Sequence, residues 1–225
     1  MTLLQDIQAC VFDAYGTLFD IHSPTARVAD RLGDKAHAIS DLWRAKQLQY
    51  SLLRSLMGAH VDFWQVTGDA LDYTLAVFDV NDRELRDRLM ELYLSLEAYP
   101  DAVPTLEKLA GDGRRCAILS NGAPAMLQAS VENAGLAQLL EAVISVEEAG
   151  IFKPAPNVYQ LGADRMGAAR ENICFVSANA WDCAGAAQFG FQVVHLNRFG
   201  QPMEHLPGKP KAEITDLGQL SGLLN

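Results

Sequence analysis

Five short apolar runs, each bounded by turn residues, limit the folds open to this chain more than any other feature. The runs cover residues 7–13, 115–120, 142–145, 173–178 and 192–196. Helical patterns that end at a glycine lie between the later runs, over residues 123–135, 155–167 and 180–190. Strands that alternate with helices form right-handed βαβ units, so the sequence predicts an α/β fold with a parallel, Rossmann-like sheet.

The segment between the first two runs breaks this alternation, because it contains helical patterns and no strand pattern. The predicted helices span residues 40–58, 61–78 and 81–96, and a further helix over 97–113 leads back to the sheet. We expect Ser40 or Asp41 to cap the first of these helices and Asn81 to cap the third.

This helical block begins directly after the first strand and its turn, at the sheet edge where ligands bind in open parallel sheets. A block that leaves the sheet at this point is placed to cover such a site as a lid. We therefore predict a Rossmann-like catalytic core of residues 1–19 and 98–225, and an all-helical cap subdomain of residues 20–97.

Composition excludes several classes of protein. With 225 residues, of which 49% are hydrophobic, the chain can bury a core, and its net charge of -10 disfavours a general nucleic-acid binder. The four cysteines form no CxxC pair and the five histidines are scattered, so we expect buried thiols in a reducing cytoplasm and no zinc site. The sequence has neither a basic leader nor a long apolar run, so we expect a cytoplasmic protein with no membrane partner.

Polar residues follow the ends of several predicted strands. They are Asp13 and Thr17, Ser120 and Asn121, Lys153, and Ser177, Asn179 and Asp182. Each residue alone has an ordinary explanation as a helix cap, a turn or a solvated loop residue. Because the carboxyl ends of parallel strands meet at one edge of the sheet, the set as a whole predicts an active site there.

The chemistry of these residues is coherent. Asp13 is a candidate nucleophile, and Lys153 near it would keep the carboxylate ionised and offset the charge of an anionic substrate. Ser120 with neighbouring backbone N–H groups could bind a carboxylate or a phosphate. Gly16 permits the tight turn behind Asp13.

Four strings of residues carry a family resemblance. "FDAYGTLFD", "LSNG", "KP" and "SANAWD", in this order and spacing, resemble the four motifs of the haloacid dehalogenase superfamily. The resemblance covers nearly the whole chain, and the helical insertion resembles the cap of that superfamily. It implies the haloacid dehalogenase fold and a hydrolase.

Position 15 separates the branches of the superfamily. Phosphatase members have D-x-D in the first motif and use a magnesium ion, whereas Tyr15 stands at the second aspartate here. "SANAWD" lacks the paired acids of magnesium-dependent members, which leaves Asp13 and Asp182 as a sparse oxygen set for a divalent cation. We therefore expect neither a metal nor another cofactor. The cap string "LWRAKQLQY", residues 42–50, resembles the L-2-haloacid dehalogenase branch.

The branch resemblance implies hydrolysis of the carbon–halide bond of short L-2-haloalkanoic acids to D-2-hydroxyalkanoic acids, with water as the second substrate. Asp13 would attack C2 and form an ester, which water then hydrolyses at the aspartyl carbonyl. Arg44 and Asn179 would bind the halide, while Ser120, with Asn121 beside it, would bind the substrate carboxylate.

The remaining residues that match the branch would support these steps. Lys153, Tyr159 and Ser177 would support the Asp13 carboxylate, Thr17 would fix that side chain or its ester, and Asp182 would orient or activate water. The expected apolar walls are Tyr15, Leu48, Phe63 and Trp181. The sequence departs from well-known members of the branch at Ala45, where those members carry glutamine, and this leaves the substrate range open.

Two other readings stay open at this point. One is a magnesium-dependent phosphatase of the same superfamily, and the other is a binding or regulatory module of the same fold without turnover. Halide release from a 2-chloro acid would separate them. The resemblance also implies a homodimer, for which the apolar faces of residues 50–58 and 71–78 could form the interface or could equally pack within the cap.

Overall fold

The computed structural model of the chain describes residues 4–224, and a parallel sheet forms its centre. Over this range the sheet has six strands: β1 Ala9–Phe12, β2 Arg115–Ser120, β3 Ala142–Ser145, β4 Ile173–Ser177, β5 Gln192–Leu196 and β6 Ala212–Ile214. Their order is β3-β2-β1-β4-β5-β6, and every neighbouring pair is parallel. The predicted α/β fold with a parallel sheet is confirmed.

The central strands are buried on both faces, which explains why they appear in the sequence as continuous apolar runs. Every residue of β1, β4 and β5 is buried. Cys10 on β1 is aligned with Cys116 on β2 and Cys174 on β4, and all four cysteines of the chain, with Cys183, are buried free thiols. The cysteines therefore contribute to the apolar core.

The helices described within residues 4–224 are α1 Ser23–Ala26, α2 Ala29–Leu32, α3 Ala36–Met57, α4 Phe63–Val77, α5 Arg83–Tyr93, α6 Ala102–Gly111, α7 Pro124–Asn133, α8 Pro156–Met166 and α9 Ala180–Phe189. Proline at the start of α7 and α8 and left-handed Gly167 and Gly190 after α8 and α9 give the expected start and stop signals. In this part of the chain no helix is both long enough and apolar enough to cross a membrane.

Two predicted helix caps are wrong. Helix α3 begins at Ala36 because it continues from a turn of 3-10 helix, so Ser40 and Asp41 lie inside it. Ser40 is buried, and its hydroxyl lies 2.7 Å from Nδ1 of His22. Helix α5 is capped by Asp82 rather than by Asn81, because the Asp82 carboxylate accepts a 2.9 Å hydrogen bond from the main-chain N–H of Leu85.

Helices α1 to α5 lie in the sequence between β1 and β2, and the chain leaves the sheet and returns to it side by side. Phe19 and Ala98 form an antiparallel bridge, and the N–H of Asp20 donates to the carbonyl of Glu97 at 2.8 Å. The helical segment is thus joined to the sheet through one narrow, paired connection.

Candidate active site

Asp13 follows β1 and is only 6% exposed. Its Oδ1 lies 3.1 Å from Nζ of Lys153. Its Oδ2 accepts hydrogen bonds from Nδ2 of Asn179 at 2.7 Å, Oγ1 of Thr17 at 3.3 Å and Oγ of Ser177 at 3.4 Å. These donors lie at or after the ends of three different strands, β1, β3 and β4. They meet at one carboxylate because the carboxyl ends of parallel strands lie at the same edge of the sheet.

Lys153 lies between two carboxylates. Its Nζ is 3.1 Å from Asp13 and 2.8 Å from Oδ2 of Asp182, and its side chain is fully buried. Its main-chain N–H donates to Oδ1 of Asn121 at 2.9 Å, which fixes the loop after β3. Burial alone would lower the pKa of Lys153, but the charges of Asp13 and Asp182 outweigh it and raise that pKa above its ordinary value. The ammonium group therefore stays charged.

Asp182, in the first turn of α9, is fully buried and has a second partner in Tyr159, whose hydroxyl donates to Oδ1 at 2.8 Å. Burial raises the pKa of Asp182 to about 6, with the Lys153 charge opposing the rise and the Asp13 charge adding to it. Burial also raises the pKa of Tyr159, so its hydroxyl remains a donor. Asp182 is therefore ionised at neutral pH and becomes protonated in mild acid.

The loop after β2 is fixed by hydroxyl groups. Oγ of the fully buried Ser120 accepts the N–H of Gly122 at 3.1 Å, and Oγ of Ser145 donates to the Gly122 carbonyl at 2.6 Å. A Cβ atom at Gly122 would lie 2.8 Å from the ring and hydroxyl of Tyr15, so only glycine fits there. This fixed loop is the predicted carboxylate-binding region.

The helical segment reaches the site through Arg44 on α3. Its Nη2 lies 3.3 Å from Oδ1 of Asn179 and 3.5 Å from the carbonyl oxygen of Tyr15. Nδ2 of the same Asn179 donates to Asp13 and to the Tyr15 carbonyl. Asn179 therefore links the guanidinium group of Arg44 on α3 to the carboxylate of Asp13, the candidate nucleophile.

Aromatic rings form the apolar wall beside Asp13. The Tyr15 ring stacks on Phe63 of α4 with centroids 5.9 Å apart, and it contacts Tyr93 of α5 at 5.7 Å. Burial raises the pKa of Tyr15 well above its ordinary value, so the phenol is neutral. Sequence reasoning missed Tyr93; the one signal for it was its place on the predicted 81–96 helix, next to the apolar stripe.

Leu48 and Trp181 were also predicted as apolar walls of the site. They line a groove of about 1080 Å³ between α3 and α9, together with Ala45, Leu52 and the site residue Lys153. The structure thus brings Tyr15 and Phe63 together and places Leu48 and Trp181 along the groove. Among residues 4–224, no three His, Cys, Asp or Glu side chains are grouped so that they could hold a metal ion.

Comparisons with known proteins identify the family of this chain. The family profile of haloacid dehalogenase-like hydrolases matches residues 7–190. The chain is 47% identical to (S)-2-haloacid dehalogenase 4A of Burkholderia cepacia, over 99% of this chain and 96% of that protein. It is 44% identical to (S)-2-haloacid dehalogenase 1 of Pseudomonas sp. strain CBS-3, over 98% of each.

A solved structure of L-2-haloacid dehalogenase from Xanthobacter autotrophicus, with chloropropionic acid covalently bound, superposes with a TM-score of 0.91 at 38% identity. The match covers 96% of this chain and 98% of that one. The chain therefore belongs to the haloacid dehalogenase-like hydrolases and, within them, to the L-2-haloacid dehalogenase branch.

Proposed function

We propose that the protein hydrolyses short L-2-haloalkanoic acids to D-2-hydroxyalkanoic acids through an ester on Asp13. The observation that carries this proposal is the buried Asp13 carboxylate bound to Lys153, with the neutral phenol Tyr15 two residues later. A leaving halide needs no proton, so the reaction does not require an acid at position 15. Similarity to (S)-2-haloacid dehalogenases over nearly the whole chain supports the same reaction.

In the first step, a carboxylate oxygen of Asp13 attacks C2 of the substrate from the side opposite the halogen. The new carbon–oxygen bond forms as the carbon–halogen bond breaks, the halide leaves with the bonding electrons, and C2 is inverted. Arg44 and Asn179 receive the halide, and Ser120 and Asn121 orient the substrate carboxylate. Two anions 4 Å apart repel by about 4 kcal/mol at an effective dielectric of 20, so the charges of Lys153 and Arg44 are needed to bring them together.

In the second step, water attacks the carbonyl carbon of the Asp13 ester. Asp182 orients this water and, being ionised at neutral pH, can accept its proton. Hydrogen bonds from Thr17 and Ser177, with the charge of Lys153, stabilise the developing oxyanion. The ester bond then breaks, and the alkoxide takes up the proton and leaves as the 2-hydroxy acid.

Residues 20–97 act in this proposal as a cap over the site. Arg44 and Phe63 reach the site from this segment, and Asp13 is nearly closed off from solvent. The groove between α3 and α9 has Lys153 in its lining, so substrate can reach the site along it while the segment covers Asp13. Leu48 and Trp181, which line the groove between α3 and α9, provide apolar surface along this substrate path.

The protein forms a homodimer in this proposal, through an apolar face on α3 and α4. The exposed residues of this face are Leu52, Leu53, Leu56, Met57, Tyr73 and Val77. Leu56 is 76% exposed, so Leu56→Glu leaves the fold unchanged and should produce a monomer in analytical ultracentrifugation. A dimer that survives this substitution would exclude this face. We also propose a cytoplasmic location, which four buried free thiols support.

The test of the reaction is chloride release from each enantiomer of 2-chloropropionate, with and without EDTA. We expect release from the L enantiomer alone, unaffected by the chelator, and none from Asp13→Asn. In a single turnover in heavy-oxygen water, the label should enter the Asp13 carboxylate and not the product. Label found directly in the product, or chelator-sensitive hydrolysis of p-nitrophenyl phosphate without chloride release, would reject the proposal.

A further inference from the structure

Arg198, just beyond β5, is a second, partly buried cation near the site but outside the cluster around Asp13. Its side chain is 10% exposed, and Nη1 and Nη2 donate to the two carboxylate oxygens of Asp101 at 2.7 and 2.8 Å. Nη2 also donates to the main-chain carbonyl of Thr17 at 2.9 Å. The guanidinium lies over the ring of Tyr99, 4.1 Å from its centroid. Arg198 therefore joins the loop after β5 to the loop that follows Asp13.

The side chain of Asp101 binds Arg198 instead of capping a helix. It lies at the N-cap position of α6, where an aspartate side chain usually accepts a hydrogen bond from the first turn of the helix, yet it makes no such bond. Its carboxylate binds Arg198 and also accepts the N–H of Leu217 at 2.9 Å. Burial would raise the pKa of Asp101, but these partners lower it below its ordinary value, so the carboxylate is ionised.

The residue that Arg198 holds is itself bound to the nucleophile. The hydroxyl of Thr17 donates to Oδ2 of Asp13 at 3.3 Å and accepts the N–H of Ala178 at 2.8 Å. Because the carbonyl and the hydroxyl belong to one residue, a shift of the main chain at Thr17 moves a hydrogen-bond donor away from Asp13.

We propose that Arg198, fixed by Asp101, is a positioning residue for the dehalogenation reaction. It holds the main chain of Thr17 and thereby sets the direction of the Asp13 carboxylate, without touching the substrate. This inference rests on the proposed role of Asp13 as nucleophile. Misplacement of a reacting group by about 1 Å lowers rates by up to about 10²-fold, so the effect should appear in kcat.

The first arm of the test compares Arg198→Lys and Arg198→Gln with the control Arg115→Gln. Arg115 makes a similar two-pronged pair with Glu141, but it is 42% exposed at the far end of β2. With L-2-chloropropionate, the Arg198 variants should lose about tenfold or more in kcat while KM changes by less than about threefold. The control should keep both constants.

The second arm asks whether Arg198 acts through Thr17. In a Thr17→Val background, where the hydroxyl is gone, Arg198→Lys should have little further effect on kcat, so that the two changes are strongly non-additive. Rates are divided by the folded fraction from near-UV circular dichroism, which removes any general loss of stability.

Two results would overturn the inference: an unchanged kcat per folded molecule in Arg198→Lys, or effects of Arg198→Lys and Thr17→Val that simply multiply. Failure of the proposed function would look different, because the wild-type protein would then release no chloride from the L enantiomer.

Discussion

At the residue scale, the site depends on the balance of charge around Lys153. Two buried carboxylates, Asp13 and Asp182, share this one ammonium group at 3.1 and 2.8 Å. Removing one partner from a buried ion pair leaves an uncompensated charge and costs about 3–5 kcal/mol. In the proposed reaction Lys153 therefore has both a structural and a catalytic role, and substitution should affect both stability and turnover.

Lys153→Met should abolish turnover, with kcat lower by about 10³-fold or more, because no charge then offsets the approach of an anionic substrate to Asp13. Its melting temperature should also fall. Lys108→Met is the matched control, since Lys108 is exposed and pairs with Asp112 on the surface. Chloride release and near-UV circular dichroism measure both effects; a folded Lys153→Met protein with substantial turnover would contradict the role of Lys153.

Activity should fall as the pH drops through about 6, because Asp182 becomes protonated there and can no longer accept a proton from water. Stability should respond in the opposite sense. The pKa of Asp182 is raised in the folded state, so between the unfolded pKa of about 3.9 and pH 6 the folded protein binds more protons at this residue, and its protonation favours folding.

The pH dependence of kcat and of the melting temperature would test this behaviour of Asp182. Asp182→Asn should have a lower rate and lack the decline near pH 6. A wild-type rate that stays level well below pH 6 would rule out an ionised Asp182 as the acceptor.

Much of the site could be predicted from the sequence, because parallel strands bring their carboxyl ends to one edge. Asp13, Lys153 and Asn179 were placed in this way. The Arg198–Asp101 pair could not be, since its members lie 97 positions apart and neither belongs to a motif. Which partner a buried charge selects is decided by three-dimensional packing.

At the element scale, the strands were predicted best. Three of them, β2, β3 and β5, have the predicted bounds, because a strand buried on both faces is a continuous apolar run between turns. Strand β6 was missed, since three residues at a sheet edge are too few to form a pattern. The start of α3 was missed because its first turn follows another helical turn and has no side-chain cap.

Helices α8 and α9 approach each other closely at Gly185. A Cβ atom there would lie 2.6 Å from the hydroxyl of Tyr159 and 2.6 Å from Cβ of Pro154. Neither neighbour can move freely, because the hydroxyl binds Asp182 and the ring of proline is rigid. The absence of a side chain at Gly185 therefore lets Tyr159 reach the site.

Gly185→Ala should destabilise the protein by about 1–3 kcal/mol and lower kcat, because Tyr159 is pushed away from Asp182. Gly111→Ala at the end of α6 is the control, since an added Cβ there has no atom within 4 Å; it should be neutral or slightly stabilising. Urea denaturation and chloride release measure the two effects. Equal stability and activity in both variants would contradict the close packing of α8 and α9.

At the scale of the whole molecule, the protein carries a net charge of -10 and binds an anionic substrate. In the proposed reaction the net negative charge of the protein repels the substrate, and buried cations such as Lys153 attract it. Exposed charges are screened by salt much more strongly than buried ones. The two opposing contributions can therefore be separated by varying ionic strength.

Raising a non-halide salt from about 20 to about 200 mM should leave kcat unchanged and raise kcat/KM slightly, by up to about twofold, because screening weakens the long-range repulsion. Stopped-flow or steady-state kinetics with L-2-chloropropionate would measure this change. A several-fold fall in kcat/KM would mean instead that exposed cations attract the substrate.

The paired connection at Asp20 and Glu97 has an evolutionary consequence. Because these residues are hydrogen-bonded neighbours, the inserted segment between them begins and ends at the same place. Recombination at that junction can lengthen, shorten or replace the inserted segment without changing the order and alignment of β1 and β2. In the proposed function, substrate selectivity can thus change among descendant proteins while Asp13 and Lys153 keep their positions.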